Sequence, residues 1–127
     1  MKTPFHLLDK YVYPSLRRYL VSLLYSRGLS VSEISRITGY SKSLVTRYIK
    51  GERGGYIDVS RYPDIVGEIE KIIHDILFNK INQVEIEARL MKTAVDMMRK
   101  KYLCQYHELL DPSIDIGKCN ICVKIFS

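Results

Sequence analysis

The sequence contains no apolar run near the ~20 residues needed to cross a bilayer, so no membrane span is expected. It also lacks the opening of a secretory leader, because Lys2 is followed by Pro4 and polar residues instead of an apolar stretch. A cytoplasmic location is therefore expected. Catalytic motifs are missing too: there is no nucleophile elbow, glycine-rich phosphate loop or paired-carboxylate motif. The histidines, His6, His74 and His107, are scattered, and only His107 has neighbours that suggest a ligand set. The chain is therefore expected not to be an enzyme. Carboxylates are scarce in the first half, where residues 1–60 hold ten Lys or Arg against four Asp or Glu. Residues 61–127 hold ten of each, so the first half carries the whole net charge of +6. That asymmetry expects a polyanion at the first half and a different task for the second. At 127 residues the chain has room for one domain, or for a small domain with an oligomerisation appendage.

What is present is concentrated between Ser30 and Arg53. The pattern there predicts two short helices joined by a tight turn, with basic and hydroxyl side chains facing out from the second. Ser30 or Ser32 can cap the first helix, and Ser30 with Glu33 fits a capping box; Ile34 and Ile37 form its apolar side. Gly39 supplies the sharp turn, Ser41 caps the second helix, and Gly51 follows its end. At about 100° per residue, Leu44, Val45, Tyr48 and Ile49 share one arc of about 140°. Lys42, Ser43, Thr46, Arg47 and Lys50 share a separate arc, and the positive charge continues into Arg53. A helix–turn–helix of this kind suits the DNA major groove. Ser43, Thr46 and Arg47 are the candidates for base edges, and Lys42, Lys50 and Arg53 for phosphate. Arg17 and Arg18, on the preceding helix, either reach phosphates beside the turn or are merely solvated.

These residues resemble the helix-turn-helix of lambda-repressor-like (XRE-type) transcriptional regulators. Ser35 stands where that family prefers a small residue, Gly39 where it prefers glycine, and Val45 and Tyr48 at its apolar recognition-helix positions. The run Gly39 to Gly54 looks most like small archaeal members, as does the N-terminus from Thr3-Pro4 through Tyr13-Pro14-Ser15-Leu16-Arg17-Arg18. The resemblance covers roughly the first half of the chain. It departs at Ser35, usually alanine, and at Tyr40, usually a smaller apolar residue. It implies sequence-specific binding to double-stranded DNA.

The remaining segments read as helices. Pro14 to Arg27 carries Leu16, Leu20, Leu23 and Leu24 at helical spacing and ends at Gly28. An apolar N-terminal arm containing Phe5, Leu7, Leu8, Tyr11 and Tyr13 precedes it, to dock on a partner subunit or cover the core. A turn at Gly54-Gly55 leads to a short extended piece near Ile57 and Val59, a wing or a linker. Pro63 to about Asn79 is cleanly amphipathic. From Val84 to about Tyr102 the pattern differs. Val84, Ala88, Met91, Val95, Met98 and Tyr102 form a heptad seam, and Ile86, Leu90, Ala94 and Met97 a second strip. One strip can pack on the chain's own helix and the other on a second subunit, so a homodimer is expected through the seam.

All the cysteines lie in the last segment, as Cys104-Gln-Tyr-His107 and Cys119-Asn-Ile-Cys122. The set fits structural zinc on three thiolates and an imidazole, or an iron–sulfur cluster. A disulfide, or no ligand at all, fits as well. Ile121 to Phe126 reads as a short strand. The expected protein is mainly α: a helix-turn-helix domain at 1–60, a helical dimerisation region at 61–103, and a Cys/His tail at 104–127. It is read as a homodimeric transcription regulator on an inverted-repeat site, gated by the tail if a metal or cluster binds there. The rival reading is a protein–protein adaptor or antitoxin-like module, including one that contacts the transcription machinery.

Overall fold

The computed structural model describes residues 3–103 together with Lys124. The Cys104, His107, Cys119 and Cys122 set and the strand expected at 121–126 lie outside the described residues. Among the described residues the protein is mainly helical. Helix α1 (Pro4–Leu7) continues through a wider π-helical turn (Leu8–Val12) into α2 (Tyr13–Ser26). Two short helices follow, α3 (Val31–Thr38) and α4 (Lys42–Lys50). After a loop and a single 3₁₀ turn (Val59–Arg61) come the long helices α5 (Pro63–Asn79) and α6 (Gln83–Arg99).

Helix α2 is the central element. Leu16, Leu20 and Leu24 recur every four residues beside Val21, so one face carries all four, and each is fully buried. Helices α3 and α4 pack on one part of α2, and α5 and α6 on another. The N-terminal arm is helical and covers the chain's own core, with Leu7, Leu8 and Val12 buried. One hydrophobic cluster runs from Leu7 to Leu103. Residues 1–60 and 61–103, which the sequence divides by charge, therefore share a single core.

The loop after α4 is tightly seated. Gly54 adopts φ +78°, which an L side chain rarely takes. Buried Ser15 donates to the carbonyl of Tyr11 at 2.8 Å and accepts from the backbone N–H of Ile57 at 3.2 Å. Ile57 and Val59 are buried against the core. The extended piece expected here is instead a set of bends ending in the 3₁₀ turn.

Helices α5 and α6 form an antiparallel hairpin. Pro63 opens α5, and Ile65, Ile69, Ile72, Ile73 and Ile76 form its buried stripe. Asn82 caps α6 by accepting from Glu85 N–H at 2.8 Å. Helix α6 stops at Arg99, three residues short of the expected end, since Lys101 turns to φ +61°. Two changes to the heptad seam follow. Met98 is 1% exposed in the chain's own core, so it does not face a partner. Tyr102 has left the helix and stacks on Tyr62 with ring centroids 4.6 Å apart.

Ion pairs clip this hairpin. Asp75 accepts from Arg89 and from Asn79, and Asp64 accepts from Lys100 at 2.5 Å and from Tyr102 at 3.0 Å. The Arg89 bond, helped by Asn79, holds Asp75 below the ordinary carboxylate range, and the Lys100 bond does the same for Asp64. A depressed carboxyl contributes stability above its unfolded pKa and loses it as pH falls through the folded value. Stability should therefore be level down to about pH 5 and decline below about pH 4. The decline should be modest, since both carboxylates are solvent-accessible. Urea midpoints measured against pH test this, and Asp75→Asn should flatten the acid limb. An unchanged limb would remove the assignment.

Candidate nucleic-acid interface

The α3–α4 pair is held by its own side chains. Ser30 Oγ accepts Glu33 N–H at 3.1 Å while Glu33 Oε1 accepts Ser30 N–H at 3.2 Å, completing the expected capping box. Ser41 Oγ caps α4 by accepting Leu44 N–H at 3.1 Å. The backbone of Tyr40, between the helices, is held by two hydroxyls of α3. Ser35 donates its hydroxyl to the Tyr40 carbonyl at 2.6 Å, and Thr38 Oγ1 accepts Tyr40 N–H at 3.2 Å. That accounts for serine at position 35, where alanine could make no such bond. Gly39 and Gly51 take left-handed φ of +80° and +76° at the ends of α3 and α4.

Helix α4 is sorted as its sequence predicts. Val45 and Tyr48 are buried, and Leu44 and Ile49 are half-buried. Lys42, Ser43, Arg47 and Lys50 are exposed, as is Arg53 beyond the helix. Thr46 is half-buried and its hydroxyl donates to the Lys42 carbonyl at 2.8 Å, which leaves its oxygen only as an acceptor.

The two arginines of α2 separate. Arg17 turns inward, pairing with Glu87 of α6 at 3.0 Å and lying 5.6 Å from the Tyr13 ring and 5.5 Å from the Tyr40 ring. It is a bracing residue and is not free for phosphate. Glu87 also accepts from the Tyr40 hydroxyl at 2.5 Å, so one carboxylate ties α2, the α3–α4 turn and α6 together. Burial, reinforced by that bond, pushes the Tyr40 hydroxyl well above the ordinary tyrosine range. Arg18 instead lies along the loop after α4. A Cβ on Gly51 would come within 3.2 Å of its Nη2, and one on Gly55 within 2.7 Å of its Nη1. It thus joins the cluster at the end of α4.

Charge pairing is uneven over the surface, with Lys10, Arg61, Lys80, Lys92 and Lys101 unpaired but scattered among the described residues. Among the described residues every Lys or Arg in an ion pair belongs to α2, α5, α6 or their immediate ends: Arg17, Arg27, Lys71, Arg89, Arg99 and Lys100. Arg18, Arg36, Lys42, Arg47, Lys50 and Arg53 have no such partner among the described residues. Glu52 lies among them and neutralises none of them within ion-pair distance. The surface around α4 therefore carries positive charge available to an outside anion.

The seam of α6 is partly available as well. Val84, Ala88 and Met91 are exposed, Val84 at 78% and Met91 at 52%, and Val95 is half-buried. Ile86, Leu90, Ala94 and Met97 are buried against the core. Glu87 and Gln83 behind the turn had no local sequence signal, because their partners lie far away in the chain.

No protein-family model matches the chain, and searches of curated proteins and of solved structures return no match. Among the described residues no helix is long and apolar enough to cross a membrane.

Proposed function

We propose that the protein is a sequence-specific DNA-binding regulator of transcription that acts as a homodimer, with α4 as its recognition helix. The observation that carries this reading is the clustering of six cations without an ion-pair partner among the described residues, Arg36, Lys42, Arg47, Lys50, Arg53 and adjacent Arg18, on α3, α4 and the loop after α4. Arg47 and Ser43 address base edges, with the Thr46 oxygen as an additional acceptor. Lys42, Lys50, Arg53 and Arg18 address phosphates. The exposed strip Val84, Ala88 and Met91 supports pairing of two copies. A second copy supplies the second recognition helix that an inverted repeat requires.

Selection of bound sequences from a random duplex pool tests both parts. The expected product is a palindromic consensus, retained at physiological salt. Weak binding without a consensus, abolished by moderate salt, would reject the reading in favour of a protein–protein adaptor. A metal or cluster on Cys104, His107, Cys119 and Cys122 would give the same regulator a metal or redox input. Elemental analysis and visible absorbance of anaerobically purified protein test that addition.

A further inference from the structure

A cleft of about 800 Å³ opens between α3, the end of α5 and the start of α6. Its wall is aliphatic, formed by Leu29, Ile37, Ile76, Leu77, Ile81 and Val84. Its rim carries Arg36 and Lys80, neither with an ion-pair partner among the described residues. Glu33 also lies on the rim, where its Oε1 accepts the Ser30 N–H and its charge offsets part of that of Arg36, leaving the rim with a net positive charge. Lys80 ends α5 at φ +50°, a position usually given to glycine or asparagine. A charged side chain is thus kept where the backbone disfavours one. An apolar wall with a few polar groups, within roughly 300–1,000 Å³, is the build of a small-molecule site.

We propose that this cleft binds an aliphatic carboxylate, its chain along the isoleucine and leucine wall and its head on Arg36 and Lys80. A guanidinium meets a carboxylate through two parallel hydrogen bonds, and the ammonium adds a second positive charge. The same rim selects against a cationic head. Gln83 lines the cleft, donates to the Arg36 carbonyl at 3.3 Å and lies against Gly39, where a Cβ would meet it at 2.5 Å. A ligand that displaces Gln83 loosens the seat of the α3–α4 turn. That consequence rests on the proposed DNA reading, whereas the binding itself does not.

Calorimetry of the full chain with laurate below its micellar concentration tests the site, with dodecylammonium as the opposite-head control. Laurate should bind saturably, one per chain, and at least about tenfold more tightly than dodecylammonium. The double variant Arg36→Gln, Lys80→Gln should weaken laurate by about tenfold or more without changing the melting temperature, since both side chains are exposed. Amide spectra should place the perturbed residues at Leu29, Ile37, Ile76 and Ile81. Equal affinity for the two heads, or unchanged affinity in the double variant, would overturn the proposal. So would perturbations centred on Met91 instead of on the cleft wall. DNA affinity measured with and without laurate reads the turn separately, so loss of DNA binding leaves the calorimetric result standing.

Discussion

Replacing Gly54 by alanine should lower the thermal midpoint by more than about 10 °C. A Cβ there would sit 2.4 Å from the Pro14 carbonyl oxygen and 2.9 Å from the Arg18 Cβ. Both atoms belong to α2, the helix on which the rest of the core is packed, so neither can yield cheaply. The loop would have to lift instead. Lifting it would pull on buried Ile57 and Val59 and on the Ser15–Ile57 hydrogen bond. The left-handed backbone alone opposes an L side chain by about 1–2 kcal/mol. With the displaced packing, the sum is about 3 kcal/mol, and each kcal/mol moves the midpoint of a 127-residue chain by about 4 °C. Gly28→Ala is the internal control: its φ is +97° and nothing lies within 4 Å, so only the backbone contribution remains. Calorimetric melting of both variants checks the account. Equal shifts would mean that the loop is not seated on α2.

Arg47→Ala should weaken binding to the selected DNA site by roughly ten- to a hundredfold while leaving non-specific binding nearly unchanged. Arg47 is exposed near the end of α4, has no ion-pair partner among the described residues, and presents a planar fork suited to a guanine edge. Lys50→Ala should behave differently. A phosphate contact carries no sequence information, so specific and non-specific affinity should fall together, and the log–log salt slope should shrink by about 0.9. Titrations of both variants over a salt series separate these roles. Folding stability should change by less than about 0.5 kcal/mol in either, because both side chains stand in solvent. Parallel losses on specific and random DNA for Arg47→Ala would move it to the phosphate set.

The parts of the fold legible in the sequence were those written in local periodicity and local caps. The angular sorting of α4, the Ser30–Glu33 box and the Pro63–Asn79 span all depend on residues within a turn or two of each other. Contacts across the chain left no such trace. Arg17 and Arg18 are adjacent and identical in type, yet one turns toward Glu87, seventy residues later, and the other lies along the loop after α4. Nothing local distinguishes them. The seam of α6 shows the same limit. Its spacing is regular, but the seam carries Met98 into the chain's own core while Val84 and Met91 remain exposed. Periodicity says which residues share a face, and only the packing says what that face meets.

The carboxylate of Glu87 joins the central helix, the α3–α4 turn and α6 without an intervening linker. A dimer paired along α6 would then hold its two recognition helices like the jaws of a fixed caliper. One base pair inserted at the centre of an operator rotates the half-sites by about 34° relative to each other. A hinged protein could follow that rotation by bending its own joint. In such a dimer the torsion would fall on the DNA, and a regulator built this way would measure helical phase as well as read bases.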